Sequence, residues 1–210
     1  MKNRFMKSFE KINLYPVITP EFCKGRSPLE VLESALKGGA GIVQLRDKTG
    51  PERYAAGFRK ITSQYNALLI INDSVDIALK YKADGVHLGL NDMPVKDARK
   101  IAPELIIGAS CHNLAEALQA QEDGAFYVNI GPIFSTKTKG GLTEFLGVEA
   151  IKKIAPHLKI PFTVMGGINK KNIAEVVKAG ARHIAMVTAI TESSNVEVTV
   201  KEFIGMHFVK

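Results

Sequence analysis

The 210-residue sequence predicts a single domain over 1–210, a (β/α)8 barrel of the TIM type in the α/β class. Three observations point there. Short apolar, β-branched runs alternate with segments of helical period along the whole length, the pattern of successive βα units. About eight such units follow one another through short connections, which favours a closed parallel barrel over an open sheet. Neither a Gly-x-Gly-x-x-Gly fingerprint nor a Walker loop is present to argue for a nucleotide-binding open sheet.

Taken in order, residues 1–12 read as an N-terminal extension, helical or partly disordered, ahead of a first strand at 14–18. Ser27 is placed as the N-cap of a helix over 28–37. Pro28 takes its first position, Leu29, Leu32 and Leu36 share one face, and Gly38-Gly39 stops it. Further strands are expected at 40–45, 68–71, 85–88, 105–109, 126–130, 162–165 and 183–187. Helices are expected at 51–65, 75–80, 95–101, 114–122, 148–155, 172–179 and 196–206. Four fragments share a likeness: Lys37-Gly-Gly-Ala-Gly-Ile-Val, Lys82-Ala-Asp-Gly-Val-His-Leu, Glu122-Asp-Gly-Ala-Phe-Tyr-Val and Lys178-Ala-Gly-Ala-Arg-His-Ile. Each places a glycine where a helix ends just before a buried strand, so a left-handed turn at that glycine is expected.

Composition narrows the partners. With 46% hydrophobic residues and no apolar run near the ~18 residues of a membrane helix, the chain reads as a globule with no membrane role. The basic start Met1-Lys-Asn-Arg-Phe-Met-Lys leads into Ser8-Phe-Glu-Lys, which lacks the apolar centre of a secretory signal, so a cytoplasmic location is expected. The net charge of +7 is spread over single lysines and pairs, without a basic run or interleaved aromatics. Nucleic acid is therefore not expected as a partner, and steering of small anions is. Cys23 and Cys111 form no CxxC pattern, which argues against a disulfide framework or a zinc site.

Polar residues cluster where strands end, the face on which such barrels bind ligands. Gln44, Arg46 and Lys48 alternate after an apolar run, so a strand continuing that far aims both cations the same way. They suit phosphate, or else ordinary surface ion pairs. Asn72 and Asp73 end the third strand and Asp92 follows the fourth. Two carboxylates at neighbouring strand ends suit Mg²⁺ with substrate phosphates completing its shell; the alternative is that Asp73 and Asp92 cap the helices beginning near Val75 and Pro94. After strand six, Ser135-Thr136-Lys137-Thr138-Lys139-Gly140-Gly141 could close over an anion or serve as a polar connector. Gly166-Gly167 after strand seven and Val187-Thr188 after strand eight lie where barrels often hold phosphate. His87 reads as a hydrogen-bonded core group. His112, at the end of strand five, is a candidate acid or base, and Ser110 a hydrogen-bond donor rather than a nucleophile.

Together these segments resemble the thiamine phosphate synthase family. The pieces that carry the resemblance are Val43-Gln-Leu-Arg-Asp-Lys48, Ile70-Ile-Asn-Asp73, Ala83-Asp-Gly-Val-His-Leu-Gly89 with Asp92, Ile107-Gly-Ala-Ser110, 127–131 with Thr136-Lys-Thr-Lys139, and Gly166-Gly-Ile168. The resemblance implies coupling of a pyrimidinylmethyl diphosphate to a hydroxyethylthiazole phosphate, or its carboxylated form, with release of pyrophosphate. Carried over, Gln44, Leu45, Arg46, Asp47, Lys48, Asn72, Ser110 and Lys139 bind the pyrimidine diphosphate, with Arg46, Lys48, Ser110 and Lys139 as the catalytic set. Asp73 and Asp92 hold one Mg²⁺ per subunit, and Thr136, Lys137, Thr138, Gly167, Val187 and Thr188 bind the thiazole phosphate. A homo-oligomer is also expected. Ser135 stands where the family often has Pro, and the stretch from Gly140 to Leu146 departs from its usual Lys-Asp-rich continuation. Two alternatives stay open: an isomerase of the same superfamily acting on the thiazole phosphate through His112, and a noncatalytic phosphometabolite-binding regulator.

Overall fold

In the computed structural model, residues 9, 11–50, 52–138 and 144–206 are described. Eight parallel strands close into a barrel in sequence order: β1 (Leu14–Ile18), β2 (Ile42–Leu45), β3 (Leu68–Asn72), β4 (Gly85–Leu88), β5 (Ile106–Cys111), β6 (Tyr127–Ile130), β7 (Phe162–Val164) and β8 (His183–Met186). β8 pairs back onto β1 through Leu14 opposite Ile184. Around them run α1 (Pro28–Lys37), α2 (Glu52–Gln64), α3 (Val75–Lys80), α4 (Val95–Ile101), α5 (Leu114–Glu122), α6 (Glu149–Ile154), α7 (Ile173–Lys178), a short α8 (Thr188–Thr191) and α9 (Val196–Gly205). Among the described residues no helix is long and apolar enough to cross a membrane.

The period of two along each strand divides the core into two bodies. Outward residues such as Val43, Leu45, Ile71, Val86 and Val128 pack beneath the helices. Inward residues Tyr15, Val17, Ile42, Ile70, Ile106, Tyr127 and Ala185 fill the barrel, with Phe9 stacked on Tyr127 at a centroid distance of 5.2 Å. Two facing aromatic rings need room, which β5 provides by carrying no side chain at Gly108. A Cβ there would lie 2.1 Å from Tyr127 Cζ.

The element boundaries expected from sequence are close, and the differences have local causes. α1 begins with a full capping box, Ser27 and Glu30 each bonding the other's backbone N–H. At its far end the Ala40 N–H still bonds Ala35 O, so Ala40 belongs to the helix terminus and β2 starts at Ile42. β5 runs on to Cys111 because the Gly131 N–H bonds the Cys111 carbonyl. Three of the four recurring fragments do turn through a glycine of positive φ, Gly39, Gly124 and Gly180. The fourth does not: the left-handed residue is Lys82, at φ 51°, and Gly85 is already the first residue of β4. Gly85 is needed there for space, since a Cβ would meet the Ile106 carbonyl at 2.3 Å. Most of the 1–12 extension lies outside the described residues.

Candidate active site

The carboxyl ends of the strands surround a cleft of about 300 Å³. Gln44, Asn72, His87, Ser110 and Asn129 reach it as the last inward side chains of β2 to β6, one step above the apolar filling. Arg46 and Lys48 continue the inward parity of β2 past its end, so both cations line the cleft. Parity sends the intervening residues the other way. Leu45 joins the core beneath the helices, and Asp47 turns its carboxylate into its own loop, accepting from the Thr49 N–H at 3.0 Å and the Gly50 N–H at 3.2 Å. The side chains of Leu45 and Asp47 are thus not brought to the cleft.

Asp73 and Asp92 come together at the rim. Asp73 sits at φ 65°, a left-handed conformation uncommon for a non-glycine residue, and its N–H bonds the His87 carbonyl at 2.7 Å. Neither carboxylate caps a helix. Ser74 does so for α3, and Asp92 accepts from the Gly89 N–H at 2.7 Å while α4, with Pro94 at its N-cap position, has no side-chain cap. Burial and contact with the Asp73 carboxyl raise the Asp92 carboxyl above its ordinary range. Lys48 forms an ion pair with Asp73 on the same rim. Two carboxylates held this close, with one disfavoured in its charged form, make a place where a divalent cation lowers the energy of both. The donor set is hard oxygen, and it fits Mg²⁺.

On the opposite side a narrower niche is lined by Thr136, Thr138, Gly166, Gly167, Val187 and Thr188. Thr136 and Thr138 hydroxyls bond each other at 2.9 Å. Gly167 is at φ 64°, and a Cβ would lie 2.2 Å from the Ser135 carbonyl, so both conformation and space require glycine. Thr138, Met165 and Val187 line both cavities, which makes the two one continuous site. Lys137 is exposed and lines neither. Lys139 lies outside the described residues.

Strand parity adds four residues to those expected from the sequence: Asn129 at the cleft, and three beneath it. Tyr15, His87 and Tyr127 form its floor with Gln44 and Ser110. Gln44 Nε2 lies 2.9 Å from the Tyr15 hydroxyl, which is 3.2 Å from that of Tyr127. His87 spans the remainder, with Nδ1 3.0 Å from Tyr127 and Nε2 2.9 Å from Ser110 Oγ. Burial pushes the imidazole down to about 4, so it is neutral, and burial raises both phenols. His112 lines the cleft with Nδ1 3.1 Å from Glu116 Oε2. Cys111 faces outward, and burial pushes its thiol up to about 12, an inert state.

A family model described as thiamine monophosphate synthase matches residues 14–190. The chain belongs to the thiamine monophosphate synthase family. It is 40% identical over 197 residues to the thiamine-phosphate synthase of Shouchella clausii, covering 91% of this chain and 93% of that one. To the Pyrococcus furiosus thiamine-phosphate synthase it is 43% identical over 196 residues, with the same coverage. The solved thiamine phosphate pyrophosphorylase from Pyrococcus furiosus superposes with a TM-score of 0.85 at 38% identity, covering 95% of this chain and 98% of that chain. In this chain's barrel, the acidic rim and the Thr–Gly niche occupy opposite sides of one mouth.

Proposed function

We propose that this chain couples a pyrimidinylmethyl diphosphate to hydroxyethylthiazole phosphate, giving thiamine phosphate and pyrophosphate. The observation that carries the reading is the continuity of the acidic, cationic cleft with the Thr136–Gly167–Thr188 niche, which suits two phosphorylated ligands meeting in one site. Family membership supports it. Gln44, Asn72 and Ser110 orient the pyrimidine end, while Arg46, Lys48 and Lys139 bind the diphosphate. Asp73 and Asp92 would hold Mg²⁺, which supplies charge neutralisation on that diphosphate. The C–O bond to the diphosphate breaks with its electron pair leaving on oxygen. The thiazole nitrogen then donates its lone pair to the exposed carbon, forming the C–N bond. Arg46 and Lys48 stabilise the charge that gathers on the leaving group, and the walls of Met165 and Val187 keep water from the cationic carbon. Thr136, Thr138 and the Gly167 backbone hold the thiazole phosphate so that its nitrogen faces that carbon.

The test is direct: purified protein, both substrates and Mg²⁺, with thiamine phosphate and pyrophosphate measured together. Equimolar products are expected, and the yield should vanish on chelation. Ligand binding without either product would replace this reading with a noncatalytic one. Isomerisation of the thiazole phosphate alone, lost in His112→Gln, would replace it with the isomerase.

A further inference from the structure

The hydrogen bonds across the barrel floor have a direction. Among the described residues the Tyr15 hydroxyl meets only Gln44 and Tyr127, and the Tyr127 hydroxyl only Tyr15 and His87. Gln44 Nε2 is a donor, so Tyr15 oxygen accepts from it, and the Tyr15 proton can go only to Tyr127 oxygen. The Tyr127 proton then has one destination, His87 Nδ1. A neutral imidazole accepting at Nδ1 carries its proton on Nε2, which faces Ser110 Oγ. The reverse order would leave the Tyr15 O–H without an acceptor in a residue only 2% exposed, at a cost of about 1–3 kcal/mol.

We propose that Gln44, through Tyr15, Tyr127 and His87, fixes Ser110 as a hydrogen-bond donor toward the cleft. Ser110 Oγ receives the Nε2 proton and holds its own hydrogen free for an acceptor on the bound ligand, a heteroaromatic nitrogen or a phosphate oxygen. Tyr15, Tyr127 and His87 are positioning residues: they act through Ser110, whose polarity toward the cleft they set. The identity of that ligand rests on the proposed synthase reading. The direction of the wire does not.

The experiment is long-range proton–nitrogen NMR of ligand-free protein labelled with ¹⁵N-histidine, the His87 signals identified by their loss in His87→Asn. The wild type should show His87 as the Nε2–H tautomer; the Nδ1–H tautomer would overturn the proposal, whatever the synthase assay gives. Gln44→Glu removes the donor and offers an acceptor to Tyr15. Every bond should reverse and His87 should switch to Nδ1–H. Adding Tyr15→Phe to Gln44→Glu should restore Nε2–H, because the Tyr127 proton again has only His87 to bind. A tautomer that stays at Nε2–H in Gln44→Glu, or that stays switched in the double variant, would show that the Gln44 side chain does not act through this chain of hydroxyls.

Discussion

Gly108→Ala puts the packing of the barrel floor to the sharpest test. The new Cβ would lie 2.1 Å from Tyr127 Cζ, 2.4 Å from its hydroxyl and 2.5 Å from Cε1, where ordinary contact begins at 3.4 Å. The ring must therefore withdraw by on the order of an ångström, yet it is fully buried, stacked on Phe9 at 5.2 Å and on His87 at 5.6 Å. Overpacking of this kind costs about 1–3 kcal/mol. Displacing the phenol also breaks its bonds to Tyr15 and His87, adding roughly 1 kcal/mol for each. A loss of about 3–5 kcal/mol follows, and with a urea slope of ~2–3 kcal/mol per molar the unfolding midpoint should fall by ~1–2.5 M. The assay is urea unfolding followed by tyrosine fluorescence, with Gly205→Ala as the control, since nothing lies within 4 Å of that position. A Gly108→Ala midpoint within ~0.3 M of the wild type, at an unchanged slope, would refute the argument that β5 omits a side chain to admit Tyr127.

Asp92→Asn should lower kcat/KM with Mg²⁺ by roughly 10²-fold or more, measured by pyrophosphate release. The same variant should stabilise the metal-free protein at neutral pH. The folded Asp92 carboxyl titrates above its unfolded value, so its penalty is absent at low pH, grows as pH rises through the acid range and is complete once Asp92 is ionised. The gap in urea midpoint between variant and wild type should widen over that range and then level off; a constant gap would mean that Asp92 is not strained. Gly167→Ala, forced into φ 64° and against the Ser135 carbonyl, should destabilise the fold by about 1–3 kcal/mol and raise KM for the thiazole phosphate at least tenfold. Equal effects on both substrates would detach Gly167 from the thiazole niche. Ser27→Ala removes the capping box of α1 far from the cleft and should cost about 1 kcal/mol in thermal unfolding, with kcat and KM intact.

Much of the site was legible as strand-end chemistry. Gln44, Arg46, Lys48, Asn72 and Ser110 line one cleft because they hold the inward parity of apolar runs to the strand ends and past them; Asp73 joins them from a left-handed residue just after β3, and Asp92 from the loop after β4. Leu45 and Asp47 sit in the same run but on the opposite parity, and their side chains turn away. His87 was legible as a hydrogen-bonded core group, and its two partners were not. Tyr15 and Tyr127 are separated by 112 residues, and each looks like an ordinary strand aromatic until barrel closure sets them face to edge at 6.2 Å. The capping alternative for Asp73 and Asp92 was equally open in sequence. It is settled by Ser74 capping α3 and by the Gly89 N–H, which takes the Asp92 carboxylate instead.

Order and spacing along the chain determined the eight βα units, their near boundaries and the polar residues at each strand end, because hydrophobic period and turn chemistry act over a few residues. Only the closed barrel decided which of those residues share a cleft, that Gly85 and Gly108 are there for space, and that Gln44 lies four hydrogen bonds from Ser110. Contacts across a barrel join residues far apart in sequence, and their geometry depends on side-chain volumes from several strands at once, which no local pattern encodes.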